Sequence, residues 1–529
     1  MKVLLIKPLN PTGSGYTTKF GFLPTPLGLQ VLAAQARSIG VSDVRIIDME
    51  ADDLNMDDMV EYVDEWRPDV IGITLHATAA HAFSQDLIKR IKKIYDPLAI
   101  AGGHQATFVP GELLDNGFDV IVLGEGDEAF RDILDHYRDG RDFSDIPGII
   151  YKNGTLKIRT ERRELIDDLD RLPIPAFDLV EKDRYTFKVF GEGSVATVET
   201  SRGCPYACDF CSVTPTWGNK WRNKSNDRIM EELRIVKKLG YRWVFFTDDI
   251  FIVYPNIKQR SDLFDRIIDE DLGLKFIVQM RADVTAKNPE LIKKASRAGL
   301  TIAFLGIESG SEEILKAMHK GIMTNSSINA VRVLNQNNVV VLGGMMLGAP
   351  YERFSDMIKT IKFSRALARA GIDAIQISTY TPLPGTRIFL DALKNKGIFT
   401  LDWSRYDILT PVAKTKVNPA IIQALTAYGY YSFYAYKWLH DRLHDVKAVG
   451  FKGDIMMNAQ KFILRMMPSY IKDIFKLPSD ILRTAIIYRE GMKHNVISED
   501  RIRELIADSS SIVYKETDIK NPYFKIKMQ

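Results

Sequence analysis

Along the first 140 residues, apolar positions come in two rhythms. Short unbroken runs (KVLLIKP, VRIIDM, VIGITLH, PLAIAGG and DVIVLGEG) alternate with amphipathic stretches such as Leu27–Ser38 and Ser84–Ile94. A strand exposed on one face would alternate apolar and polar residues. An unbroken Val/Ile/Leu run predicts a parallel strand covered by helices on both faces. Five such units predict a doubly wound, flavodoxin-like α/β domain over residues 1–140, with its ligand beyond the carboxyl ends of the strands.

Residues 141–190 change character: short strands, then DLDRLPIPAFDLV, where Pro173 and Pro175 oppose regular structure and predict a surface linker. From 191 to 400 the alternation resumes with SVATVET, RWVFFTDD, KFIVQM, TIAFLGIE, VVVLGGMML and DAIQISTY, and with helices such as Asp227–Leu239 and Pro289–Ala298 between them. Six βα units predict a partial (β/α)6 barrel, whose chemistry belongs at the carboxyl ends of its strands. Residues 401–529 lack strand patterns and predict a helical C-terminal region. Within it, AYGYYSFYAYKWLHD is expected to bury one face. Phe462, Ile463, Met466, Met467, Ile471, Ile474 and Phe475, flanked by Lys and Arg, suit either a cap over the barrel mouth or an interfacial helix on anionic lipid.

Charge narrows the classes. With 71 Lys+Arg against 68 Asp+Glu in 529 residues, the net charge of +3 excludes a polybasic nucleic-acid coat. The N-terminal MKVLLIKPLN reads as a first strand and not as an export signal, and no window approaches the roughly 20 apolar residues of a spanning helix. The chain has only three cysteines, Cys204, Cys208 and Cys211, all in SRGCPYACDFCSV. A disulfide framework would spread an even number along the chain. Structural zinc usually takes four protein ligands. Three thiols in one loop suit an iron–sulfur cluster with one iron left open. A free-thiol cluster without an export signal points to a reducing cytoplasm.

This Cys-x-x-x-Cys-x-x-Cys loop on the first strand of a partial barrel resembles the radical S-adenosylmethionine (SAM) enzymes, with Phe210 as the aromatic residue before the last cysteine. The resemblance implies a 4Fe–4S cluster held by Cys204, Cys208 and Cys211, SAM chelated at the open iron, and reductive cleavage to a 5′-deoxyadenosyl radical. It also implies a reducing partner such as ferredoxin or flavodoxin. On the same basis Phe210, Asp248, Asp249, Arg281 and Glu308 become SAM-binding candidates. The alternatives are a turn or helix cap for the two aspartates and a surface ion pair for Arg281. The segments WGNKWRNKS, MMLGAPYE and TPLPGTRIF are similar to further elements of the family.

The N-terminal domain, linker and barrel together resemble the cobalamin-binding class of that family over nearly 400 residues. This implies cobalamin above the SAM site, with Gly102, Gly103, His104, Gly124 and Gly126 as candidate contacts. No Asp-x-His-x-x-Gly motif supplies a cobalt-ligating imidazole, and His76 is a candidate pocket residue or a structural histidine. The expected reaction is methylation or carbon–carbon bond formation at an unactivated carbon, preferably of a hydrophobic lipid, with peripheral membrane contact through the C-terminal helices. A peptide or small natural-product precursor is the alternative substrate, and a non-catalytic sensor the alternative class. Methylthiolation of transfer RNA would need a second cluster, for which no cysteines remain.

Overall fold

The computed structural model describes residues 1–10, 21–76, 78–188, 193–444, 450–494 and 497–510, without the side chains of 450–451, 462–471, 473, 494 and 510. Five strands, β1 (Lys2–Lys7), β2 (Asp43–Asp48), β3 (Val70–Thr74), β4 (Leu98–Gly102) and β5 (Val120–Val122), form a parallel sheet in the order β2-β1-β3-β4-β5. Strand β1 shows why the runs are unbroken. Val3 and Leu5 pack with Leu29, Ala33 and Ile133 on one face, while Leu4 and Ile6 meet Met59, Val63, Leu87 and Ile91 on the other. Helices cover both faces, so neither tolerates a polar side chain.

The stretch expected to be linker is partly sheet. Strands β6 (Ile149–Asn153) and β7 (Leu156–Arg159) extend the N-terminal sheet antiparallel to β5. A two-residue loop led by Gly154, at φ 60°, folds this hairpin. Beyond it, Ile166, Leu169 and Leu172 form a small cluster of their own.

The second sheet begins with β8 (Val195–Val198). A short pair, β9 (Ser201–Arg202) and β10 (Arg222–Asn223), then staples together the two ends of the cysteine loop. The remaining strands are β11 (Trp243–Phe246), β12 (Lys275–Arg281), β13 (Leu300–Glu308), β14 (Val340–Leu347) and β15 (Ala374–Thr379). All six long strands are parallel, in the order β15-β14-β13-β12-β11-β8. The barrel helices bury one face. Ile455 and Ala459, near the start of helix Gly450–His494, pack with Val195, Trp243, Ile277, Ile302 and Val340 on the other. Helix Pro419–Leu443 docks beside β15 through Ile422, Leu425 and Phe433. Of the residues expected to form an interfacial helix, Phe462, Ile463, Met466, Met467 and Ile471 lie outside the described side chains. Among the described residues no helix is long and apolar enough to cross a membrane.

Candidate active site

The cysteine loop is set by its ends. At Gly203 (φ 86°) a Cβ would lie 2.1 Å from the Lys220 carbonyl oxygen, so only glycine permits the pinch. The Gly203 N–H donates to Asp249 Oδ2 at 2.9 Å, and Cys211 N–H donates to the Cys208 carbonyl at 3.1 Å. Each of the three cysteines is half-buried and keeps some accessible surface. Burial, reinforced by Cys208, pushes the Cys204 thiol up to about 12 and raises Cys211 as well. Such thiols ionise readily only beside a strongly cationic centre. Among the described residues, no three His, Cys, Asp or Glu side chains converge to the spacing of a single metal ion. Three mutually close thiols of this kind fit a multi-iron cluster, in which each binds a different iron.

The strand-end candidates divide. Asp248 is fully buried and its oxygens are already taken. They accept from the Thr200 N–H (2.7 Å), the Thr200 and Ser201 hydroxyls, and the buried Arg260 guanidinium (3.0 Å). Its role is to fasten the end of β8 under the loop. Its neighbour Asp249 turns toward the thiols, and burial pushes its carboxyl up to about 7. Arg281 lies with its guanidinium 3.6 Å from the Tyr206 ring centroid and donates to Asp283 (2.9 Å) and the Lys320 carbonyl (2.8 Å). It is a buried clamp on the cysteine loop, not a surface ion pair. Glu308 ends β13 at φ 65°, a left-handed conformation that costs a non-glycine residue energy. A register shift against β14 accompanies it, and Glu308 accepts from Lys320 Nζ at 2.6 Å. A Cβ on Gly306 would lie 2.8 Å from both partners, so the glycine makes room for this pair. Phe210 packs edge-on against Tyr380, with centroids 5.9 Å apart, in the apolar cluster of Ile314, Met318 and Ile388.

The seam between the two sheets holds residues that sequence reasoning missed. Arg202, next to the loop, donates to Glu125 (2.9 Å), to both oxygens of Asp127 (2.8 and 3.0 Å) and to Glu199 (2.8 Å). Arg222 donates to both oxygens of Glu125 at 2.9 Å. Glu125 and Asp127 lie in the very GEGD loop whose glycines are cobalamin candidates. The motif was visible, but its acids proved to be the structural part. Gly124 lines a cavity of about 90 Å³ with Gly148, Arg163 and Thr216, room for water and not for a corrin. Gly126 precedes helix Asp127–Arg138, and a Cβ on Gly102 would make an ordinary contact with Val122. Gly103 (φ 99°) is needed because a Cβ would press on the Leu75 carbonyl and the His76 nitrogen.

His104 bridges the domains, with Nδ1 3.2 Å from the Thr216 hydroxyl and Nε2 3.0 Å from the Pro384 carbonyl. Burial lowers its pKa to about 4. The ends of β3 and β4 therefore face the cysteine-loop side of the barrel. His76 exposes more than a third of its surface, yet protein surrounds it. A ring left accessible in so crowded a place borders an opening at the carboxyl ends of the strands, where ligands of such sheets bind.

The comparisons agree with this layout. Residues 13–134 match the B12 binding domain and residues 198–364 the Radical SAM superfamily. The fold and site thus define a radical SAM enzyme with a B12-binding domain. An uncharacterized methyltransferase of Pyrococcus horikoshii is 35% identical over 442 residues, covering 82% of this chain and 92% of the relative. The hopanoid C-3 methylase of Methylococcus capsulatus is 28% identical over 421 residues, covering 79% of this chain and 77% of that one. The chain belongs to the cobalamin-dependent radical SAM methyltransferase family, and its cofactors are a 4Fe–4S cluster, SAM and cobalamin. In fold it is similar to the radical SAM methyltransferase TsrM from Kitasatospora setae (TM-score 0.61, 17% identity, 75% of this chain and 78% of that chain). It is also similar to the cobalamin-dependent radical enzyme OxsB (TM-score 0.65, 16% identity, 97% and 84%).

Proposed function

We propose that this enzyme methylates an unactivated carbon of a hydrophobic lipid taken up at a membrane surface. Methyl transfer follows the methyltransferase relatives, one of which is a hopanoid methylase. The observation that carries the lipid reading is the outward face of helix Pro419–Leu443. Ile422, Leu425 and Phe433 fill its inner arc, as in any docked helix. A second apolar arc points away from the protein. Ile421, Tyr428, Tyr431, Trp438, Leu439 and Leu443 are exposed by between 44% (Tyr431) and 71% (Leu443). At about 100° per residue they share one side, with the Arg442 guanidinium 5.4 Å from the Trp438 ring centroid. Aromatic rings beside a cation suit the headgroup region of an anionic bilayer.

When bound, the three cofactors supply the electron, radical and methyl chemistry. The chain's own residues bind, orient and exclude water. We assign the cluster to Cys204, Cys208 and Cys211, and the SAM side to Phe210, Asp249, Arg281 and Glu308. Arg281 fixes the loop through Tyr206. Lys320 holds the Glu308 carboxylate in place. The apolar cluster around Phe210 and Tyr380 keeps water from that side.

Reconstituted anaerobically with iron, sulfide, cobalamin, SAM and a ferredoxin- or flavodoxin-type reductant, the protein is expected to act on lipid-extract vesicles. It should form 5′-deoxyadenosine and S-adenosylhomocysteine in step with a lipid heavier by one methylene, read by mass spectrometry. Cys208→Ala should lose the cluster absorbance and all three products. Deoxyadenosine without any heavier lipid would sink the lipid reading.

A further inference from the structure

Seven histidine side chains are described, and six of them are engaged. His81 contacts Gln85, Gln105 and Glu112; His104 contacts Thr216 and Pro384; His136 contacts the Asp132 carbonyl and Asp145. His319 pairs with Asp209, His440 with Asp441, and His444 reaches the His440 carbonyl. His76 alone has no hydrogen-bond or ion-pair partner among the described residues. It keeps more than a third of its surface accessible, so the ring nitrogens are open to a partner from outside the described chain.

Its position says what. His76 follows β3, which lies between β1 and β4 near the point where the strand order reverses, and ligands of such sheets bind beyond the carboxyl ends there. Its backbone is fixed while its ring is left free. Leu75 N–H donates to the Gly102 carbonyl at 2.7 Å and the Gln105 N–H to the Leu75 carbonyl at 2.9 Å, and Gly103 packs against the His76 nitrogen. Burial, with Lys7 at the end of β1, holds the ring below its ordinary pKa, so it is neutral at pH 7 and carries a free lone pair. A neutral, anchored, unpaired imidazole is a ligand for a transition metal.

We propose that the His76 imidazole coordinates the cobalt of cobalamin from the side of the N-terminal domain, in place of the imidazole that the absent Asp-x-His-x-x-Gly motif would supply. This rests on the family's use of cobalamin, and the test separates the two. Protein loaded with cob(II)alamin is expected to show each resolved cobalt line in its electron paramagnetic resonance spectrum split into three by one nitrogen-14. Growth on nitrogen-15 histidine should turn the three into two, a result that needs no variant. His76→Ala should keep cobalamin, by its absorbance, and lose the splitting. Absent splitting, or splitting insensitive to the histidine label (the cofactor's own base), overturns the proposal. So does label-sensitive splitting that survives in His76→Ala, which would belong to another histidine. Protein that takes up no cobalamin overturns both the proposal and the reading beneath it.

Discussion

The seam between the two sheets and the outer face of helix Pro419–Leu443 invert the usual distribution of side chains in opposite ways. At the seam, five charged groups (Glu125, Asp127, Glu199, Arg202 and Arg222) are enclosed by protein. On the helix, large aromatic and aliphatic groups stand in water. Folding alone favours neither arrangement, since buried ions rarely improve on apolar packing and exposed apolar stripes invite association. The seam aligns the B12-binding domain with the cysteine loop, and hydrogen-bonded forks fix a geometry that apolar contact leaves free to slide. The stripe turns much of its surface to the outside, and its use lies there. A buried inversion serves registration within the molecule, whereas an exposed one serves an encounter with something else.

The largest effect should come from breaking the seam. Burial works against the Arg202 charge, yet Asp127 and Glu199 hold it well above its ordinary pKa. Arg202→Met leaves Asp127 and Glu199 enclosed without their cation, and removing one partner of a buried pair costs about 3 to 5 kcal/mol. Urea unfolding followed by tryptophan fluorescence is expected to show that loss. Arg202→Lys, which keeps the charge but not the fork, should lose less. Equal stability of the wild type and Arg202→Met would mean that the seam is held by its apolar surroundings.

These two regions also mark how far the sequence could be read. The strands were legible because continuous apolar runs such as KVLLIKP and VIGITLH report burial on both faces locally. The cysteine loop was legible because its three ligands fall within eight positions. The seam was not. Arg202 is separated from Glu125 by 77 residues and from Asp127 by 75, and nothing local links them. Asp248 and Asp249 are adjacent and look equivalent, yet just past the end of β11 one is held beneath the loop and the other meets the Gly203 N–H beside the thiols. In helix Pro419–Leu443 the rings run nearly all round, so the sequence shows that one face is buried and not that the opposite face is also apolar. The hairpin Ile149–Arg159 was noticed as short strands, but its partner β5 lies beyond helix Asp127–Arg138 in the chain.

A middle-sized effect tests what a buried acid does without an arginine. Glu352, at the end of MMLGAPYE, is fully buried. Its Oε2 accepts from the Gly348 N–H (2.7 Å) and the Ala349 N–H (3.1 Å). Its Oε1 has no hydrogen-bond partner among the described residues. Burial pushes its carboxyl up to about 7, whereas the seam's Asp127, equally enclosed, is held below its ordinary value: Arg202 outweighs the upward push of burial. A carboxyl with its folded pKa raised favours the native state while protonated. That contribution is complete below about pH 4.5 and is lost as the pH rises through about 7, on the order of 3 kcal/mol in all. Glu352→Gln, which keeps the oxygen facing the two N–H groups, should therefore be more stable than the wild type at pH 8 and close to it at pH 4.5. A difference that does not change with pH would show that Glu352 ionises as freely in the folded protein as in the unfolded chain.

The smallest effect on stability should come from the stripe, and there the contrast with the seam is sharpest. Trp438→Ser with Tyr431→Ser removes two exposed rings, one beneath Arg442 and the other beside Tyr430. Substitutions at such exposed sites usually change stability by less than about 0.5 kcal/mol. Transfer of a large aromatic side chain out of water is worth about 1.5 to 3 kcal/mol when complete, so losing two partly inserted rings should weaken vesicle binding about tenfold or more. Co-sedimentation with vesicles containing phosphatidylglycerol measures this directly, and Arg442→Gln should add a salt-dependent loss. Cleavage of SAM in the absence of lipid should stay at the wild-type rate, because both rings stand on the outer surface of the molecule. If the double variant binds vesicles as the wild type does, the exposed rings meet a different partner, and the apolar arc no longer argues for a membrane.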